Sequence, residues 1–127
     1  MRIQRHFTTV GEDAYAGLEW KTTTSEIRNP DGSTVFKLDQ LEVPASWSQV
    51  AADVLAQKYF RRAGVPVALK AVEEADVPDF LWRREADAEA LEAIPEKDRT
   101  TQEMSGREVF DRLAGTWAYW GWKGGYF

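Results

Sequence analysis

The rhythm of apolar and polar positions changes several times along the chain. Residues 1–17 show no period and read as a lead-in. Residues 18–43 read as β. The stretches LEWKTTTSEIR and STVFKLDQLEV hold Thr22, Thr23, Thr24, Val35 and Phe36, residue types that suit a pleated, half-buried surface. Between them stands NPDG. Asn29 suits the first position of a type I turn, Pro30 fixes φ at the second, and Gly32 follows where a left-handed residue is needed. The expectation is a hairpin with a bulge at the glycine and Ile27 opposite Val35. Two strands alone are marginal in water, so the hairpin needs something to lie on.

From 46 to 63 the period lengthens to that of a helix. Trp47, Val50, Ala51, Val54, Leu55 and Tyr59 follow an i, i+3, i+4 rhythm. Ser46 is the expected N-cap, with Gln49 three residues later completing a capping box. Lys58, Arg61 and Arg62 crowd the closing turns, where positive charge complements the dipole, and Gly64 with Pro66 beyond it reads as the stop. Residues 65–100 lack a sustained period and read as an irregular acidic segment, with Pro95 ending any short helix in DAEALEAIP. A second helix is expected over 101–121, capped either by Thr100 with Glu103 or by Ser105 with Glu108. Its expected stripe is Phe110, Leu113, Ala114, Trp117 and Gly121, with Trp120 at the border. That stripe makes Trp117 a core residue, worth about 3–5 kcal/mol if fully buried. Residues 122–127, WKGGYF, read as a connector.

At 127 residues the chain is long enough for one domain with a core of its own. Composition narrows its chemistry mainly by exclusion. A formal net charge of −5 argues against a phosphate-binding face, so no nucleic-acid partner is expected. There is no cysteine, which removes disulfides, thiolate nucleophiles and cysteine-held metals, and a single histidine, His6, leaves little for a metal site or a triad. No apolar run reaches membrane-spanning length and no signal-peptide core follows Met1, so a cytoplasmic protein with no membrane partner is expected. The carboxylates crowded between Glu73 and Glu103 read as a solvated face, and Asp53 and Asp111 as helix-surface or salt-bridging residues. The glycines of GWKGGYF follow a helix instead of preceding one, which fits a helix exit better than a phosphate cradle. Neither spacing nor composition names a catalytic, cofactor-binding or metal-binding residue.

Two long blocks carry more information. SEIRNPDGSTVFKLDQLEVPASWSQVAADVLAQKYFRRAGVP and VFDRLAGTWAYWGWKGGYF resemble the N-terminal region of class II ribonucleotide reductases, the adenosylcobalamin-dependent type. The likeness runs from about Phe7 to Phe127 and is loosest from Ala68 to Gln102. The resemblance implies reduction of ribonucleotides, diphosphates in this reading, by a thiyl radical, with the chemistry in an α/β barrel that follows this region. None of the family's cysteines has a counterpart here, so it carries over no catalytic residue, no cobalamin ligand and no metal ligand. Adenosylcobalamin and the ribonucleotide substrate are expected on the full-length enzyme only. The implied fold is α+β: a mainly helical small domain with an N-terminal β-hairpin, packing on the following barrel. Trp120, Trp122, Tyr126 and Phe127 are the expected inter-domain packing residues, with Gly121 ending the helix and the closing Tyr-Phe reading as the point where a longer chain was cut. The competing reading is a stand-alone protein-binding module with no enzymatic role.

Overall fold

A computed structural model describes residues 1–127. The elements in order are β1 (Trp20–Arg28), β2 (Thr34–Pro44), α1 (Gln49–Val54) running into a π-helical turn (Leu55–Tyr59), β3 (Val65–Pro66), β4 (Leu69–Ala71), β5 (Arg84–Ala86), α2 (Ala88–Glu92), β6 (Thr100–Thr101) and α3 (Gly106–Lys123). Short 3₁₀ turns occupy Asp79–Leu81 and Glu96–Asp98. The fold is α+β, with the strands in three antiparallel pairs, β1–β2, β3–β6 and β4–β5. The chain divides into two compact units. One is Met1–Tyr59 with Met104–Arg107 and Phe127, and the other is Phe60–Glu103 with Glu108–Tyr126.

In the first unit the NPDG turn forms as its residue types demand. Gly32 N–H donates to Asn29 C=O at 2.9 Å, and Gly32 takes φ +89°, open to a residue without Cβ. The bulge then falls at Val35, three residues beyond the glycine where the pattern put it. Arg28 pairs with Thr34 and Ile27 with Phe36, so Val35 is the extra residue and does not oppose Ile27. A second bulge lies farther along. Thr23 faces Leu41 and Ser25 faces Leu38, leaving Asp39 and Gln40 opposite Thr24 alone, and Gln40 adopts φ +56°. Leu38 and Leu41 are three residues apart, so simple alternation would put them on opposite faces. The bulge brings both inward, and Leu38, Leu41 and Val43 are all buried. Ser25, also buried, accepts a hydrogen bond from Gln57 Nε2 at 3.2 Å.

The helix that follows is shorter than expected and capped differently. Ser48, not Ser46, is the N-cap, and its Oγ accepts from Ala51 N–H at 3.2 Å. Gln49 does not close a capping box. It sits at the first helical position, and its amide reaches Thr24 C=O at 3.0 Å and Asp53 at 2.9 Å. Regular winding stops at Val54, and one π-turn carries the chain to Tyr59, well before Gly64. A π-turn spreads the same rotation over more residues. Ala52, Leu55 and Ala56 are buried, Phe60 just beyond the turn is buried too, and Tyr59 is exposed. The sequence stripe through Val50, Val54 and Tyr59 is therefore exposed.

Arg107 joins this unit from a distance in sequence. Its guanidinium stands 4.3 Å over the Trp20 ring and 5.6 Å from the Tyr15 ring, and pairs with Glu42 at 3.2 Å. Ser105 Oγ donates to the same carboxylate at 2.6 Å and accepts from Arg107 N–H at 3.2 Å, which makes Ser105 the cap of α3. Of the two caps the sequence offered, the Ser105 one forms.

In the second unit, the segment read as irregular carries four short strands, α2 and two 3₁₀ turns. Asp87 caps α2 by accepting from Ala90 N–H at 3.1 Å. Trp82 holds the turn before it together, its indole N–H donating to Val77 C=O at 2.8 Å and Glu74 C=O at 3.1 Å. Short hydrogen-bonded pieces of this kind leave no period long enough to read.

Candidate functional site

The aromatic end of α3 is the place where the sequence put its functional residues. In α3, Val109 is buried, and Phe110, Leu113, Thr116 and Tyr119 are half-buried. The inward stripe thus runs through Val109, Leu113 and Thr116, rotated from the expected one. Trp117 lies off it and is 62% exposed, so it is not a core residue. Trp120 continues the stripe at i+4 from Thr116, yet is 63% exposed, because the helix end outruns its own core. Trp117→Ala is accordingly expected to shift stability by no more than about 1 kcal/mol, the range of surface substitutions. Urea unfolding monitored by far-UV circular dichroism would measure it.

The helix ends at Lys123, not at Gly121. Tyr126 N–H donates to Gly121 C=O at 2.9 Å and Gly125 N–H to Trp122 C=O at 3.0 Å, with Gly125 at φ +75°. This is a Schellman motif with Gly125 in its left-handed position. A Cβ on Gly124 would stand 2.9 Å from the Tyr126 ring, so the missing side chain at Gly124 makes room for that aromatic. Tyr126 and Phe127 are exposed.

Trp122 differs from its aromatic neighbours. It is partly exposed, but its indole N–H donates to Asp76 C=O at 2.7 Å. Tyr119 donates to Glu74 at 2.8 Å, and Lys123 pairs with the same carboxylate. The hydrogen bond from Lys123, followed by that from Tyr119, holds the Glu74 carboxyl below its ordinary range against the upward push of burial. One side of the helix end is thus latched to the Glu74–Asp76 loop, and the acidic segment there is a set of partners instead of a solvated face.

Glu103 corrects the solvated-face reading more sharply. It is 1% exposed. Arg112 grips it as a fork, Nε to Oε2 at 3.2 Å and Nη2 to Oε1 at 3.1 Å, while Arg61 N–H donates to Oε1 at 2.8 Å. Burial pushes this carboxyl up, but the hydrogen bonds from Arg112 and Arg61 and the charges of both arginines outweigh it and hold it below the usual carboxylate range. Residues 42 positions before it and 9 after it in sequence supply these partners, so no local pattern could announce them.

No three His, Asp or Glu side chains converge as a metal-holding group. His6 is exposed in the lead-in, edge-on to Phe7. An open hollow of about 290 Å³ is lined by Arg62, Ala63, Gly64, Thr100, Thr101 and Gln102. Even drug-sized ligands fill pockets of roughly 300–1,000 Å³, and a corrinoid is larger than these. This hollow is too small for one. No helix is long and apolar enough to cross a membrane.

What the geometry offers is a capped, aromatic helix end in a small α+β chain, and comparison with known proteins gives it a family. Residues 21–127 match the N-terminal region of the class II vitamin B12-dependent ribonucleotide reductases, and the chain belongs to that family of oxidoreductases. It is 66% identical over 127 residues to the vitamin B12-dependent ribonucleotide reductase of Bradyrhizobium diazoefficiens and 63% identical over 127 residues to that of Agrobacterium fabrum. Both alignments cover all of this chain and 10% of the relative. A more distant relative of the same name from Rhodopirellula baltica is 27% identical over 117 residues, 92% of this chain and 8% of that protein. The chain thus spans about a tenth of the length of the curated relatives it matches.

Proposed function

We propose that this chain is the non-catalytic N-terminal domain of a cytoplasmic, adenosylcobalamin-dependent ribonucleotide reductase. In this reading the full-length enzyme reduces ribonucleoside diphosphates by thiyl-radical chemistry in an α/β barrel elsewhere in the polypeptide. The observation that carries it is the family match over residues 21–127 in a chain without cysteine. A thiyl radical and a dithiol reductant both need cysteine sulfur, so neither has a place in these 127 residues.

The domain's contribution is then structural. Trp120, Trp122, Tyr126 and Phe127 pack against the barrel, Trp122 with the part of its ring that the Asp76 hydrogen bond leaves exposed. Exposed aromatic groups of this kind mark an interface more often than a solvent-facing surface.

The test compares the full-length reductase with residues 1–127 alone, each given adenosylcobalamin, a ribonucleoside diphosphate or triphosphate, and a dithiol. Deoxyribonucleotide is expected from the full-length enzyme with diphosphate and none from the short chain. Turnover or tight cobalamin binding by residues 1–127 would overturn the non-catalytic role, and a full-length enzyme active only on triphosphates would overturn the substrate.

A further inference from the structure

The net charge of −5 conceals a local reversal of sign. The open hollow of about 290 Å³ is lined by Arg62, Ala63, Gly64, Thr100, Thr101 and Gln102, and none of the six is acidic. All six lie in the compact unit that holds Phe60–Glu103. Glu103 follows the last of them in sequence, but its buried carboxylate is already matched by Arg112 and Arg61. Arg61, Arg62 and Arg112 thus accompany one carboxylate, and the balance beside the hollow is positive. The lining is also rich in donors that the fold leaves unused. The Thr100 and Thr101 hydroxyls and the Gln102 amide make no hydrogen bond within the chain, and the N–H groups of Ala63 and Gly64 meet no backbone acceptor. The loop that carries them is held at both ends. On one side Glu103 N–H donates to Arg61 C=O at 2.9 Å and Arg61 N–H to the Glu103 carboxylate at 2.8 Å, and on the other Val65 pairs with Thr101.

We infer that this hollow is a phosphate-binding site, with the charge of Arg62 facing the anion and the threonine, glutamine and Ala63–Gly64 donors serving its oxygens. Hydroxyls, amide N–H groups and a guanidinium can all donate, and what they lack here is a negatively charged acceptor. Backbone N–H groups beside a cation are a recurrent anion-binding concavity. The two segments bring donors to the hollow from separate parts of the chain. A phosphate offers oxygens in several directions and suits such a set, whereas a carboxylate, with two oxygens in one plane, would leave more of the donors idle. The volume lies at the low end of ligand pockets, which leaves room for the phosphate and part of a small group attached to it. The site stands apart from the reductase reading, which assigns no ligand to this domain.

The test measures the phosphate bound by the full-length protein, by equilibrium dialysis against radiolabelled inorganic phosphate at constant ionic strength. Gln102→Glu sets a carboxylate in the hollow, and Arg62→Gln removes its guanidinium. Both positions are exposed, so neither change disturbs the core, and the second variant keeps the test decisive if the first fails to fold. Each is expected to bind one phosphate fewer per chain than the parent, or to bind it at least about tenfold more weakly. Gln4→Glu, the same chemical change in the exposed lead-in, should keep the parent's count. Unlabelled ribose 5-phosphate should compete for the site and ribose should not. Competition at lower concentration than unlabelled phosphate would identify a phosphorylated small molecule as the source of the group, and competition at equal or higher concentration would identify free phosphate; the inference holds in both cases. Equal binding by the parent, Gln102→Glu and Arg62→Gln would overturn it. So would a loss in Gln4→Glu as large as in Gln102→Glu, or displacement by ribose. No turnover is measured, so the outcome leaves the reductase reading to its own test.

Discussion

Glu103→Ala is expected to destabilise the chain by about 3–5 kcal/mol, a large fraction of the roughly 5–15 kcal/mol that holds an ordinary domain folded. The carboxylate is buried, and both of its oxygens are held by Arg112 and by the Arg61 backbone. Its removal leaves the half-buried Arg112 guanidinium without its fork partner and the Arg61 N–H without an acceptor. Breaking a buried pair is costly for this reason, whatever the intact pair contributes. Glu103→Gln keeps an acceptor oxygen for Arg61 and should cost less than the alanine. The pH dependence has a definite sign. The folded-state carboxyl sits below its unfolded value of about 4.3, so its contribution is complete above that value and is lost as pH falls through the folded one. Urea midpoints should therefore be level between about pH 7 and 5 and fall below about pH 4. In the Gln variant this acid-side slope should flatten. An alanine variant as stable as the parent would show that the pair is not needed for folding.

Phe60→Ala should cost about 3–5 kcal/mol, the usual loss for an aromatic ring truncated in a packed interior. Its neighbour supplies the contrast. Tyr59→Ala should cost no more than about 1 kcal/mol, because the ring is largely outside. An unbroken α-helix would reverse this order, since Tyr59 would then occupy the inward line. Equilibrium unfolding of the two variants side by side measures the π-turn directly, and a larger loss at Tyr59 would rule it out in solution.

These two cases also show what the sequence could convey. The NPDG turn was legible because its cause is local: Pro30 and Gly32 are suited to backbone angles that few other residues take as easily. The α3 helix and the apolar character of its end were legible for the same reason. The errors arose where two local solutions are equally good and a distant partner chooses between them. Ser46 and Ser48 can both cap a helix, and the hydrogen bonds of Gln49 to the first strand accompany the choice of Ser48. Apolar residues in α3 support a stripe through Trp117 as well as one through Val109 and Leu113, and only the second is inward. The family's function came from long blocks of residue identity and from no individual side chain. Trp120, Tyr126 and Phe127 were singled out from sequence and are exposed, while the Glu103 cluster went unnoticed because its arginines lie far away along the chain.

The double occupancy opposite Thr24 has a consequence for how β2 tolerates changes in length. Counting inward from the turn, Leu38 sits on an even step, and Leu41 and Val43 sit on odd ones. Gln40 supplies the single beat that brings the two parities into agreement, and it does so at φ +56°, where an L-residue is strained. Removal of that one residue would set Asp39 directly against Thr24 and keep Ser25 against Leu38 and Thr23 against Leu41, with every apolar side chain still facing the same way. A deletion at Gln40 is silent in the phase of the strand. The same deletion at Leu38 or Val43 would remove an inward side chain. Length variation among hairpins of this type should therefore gather at this position.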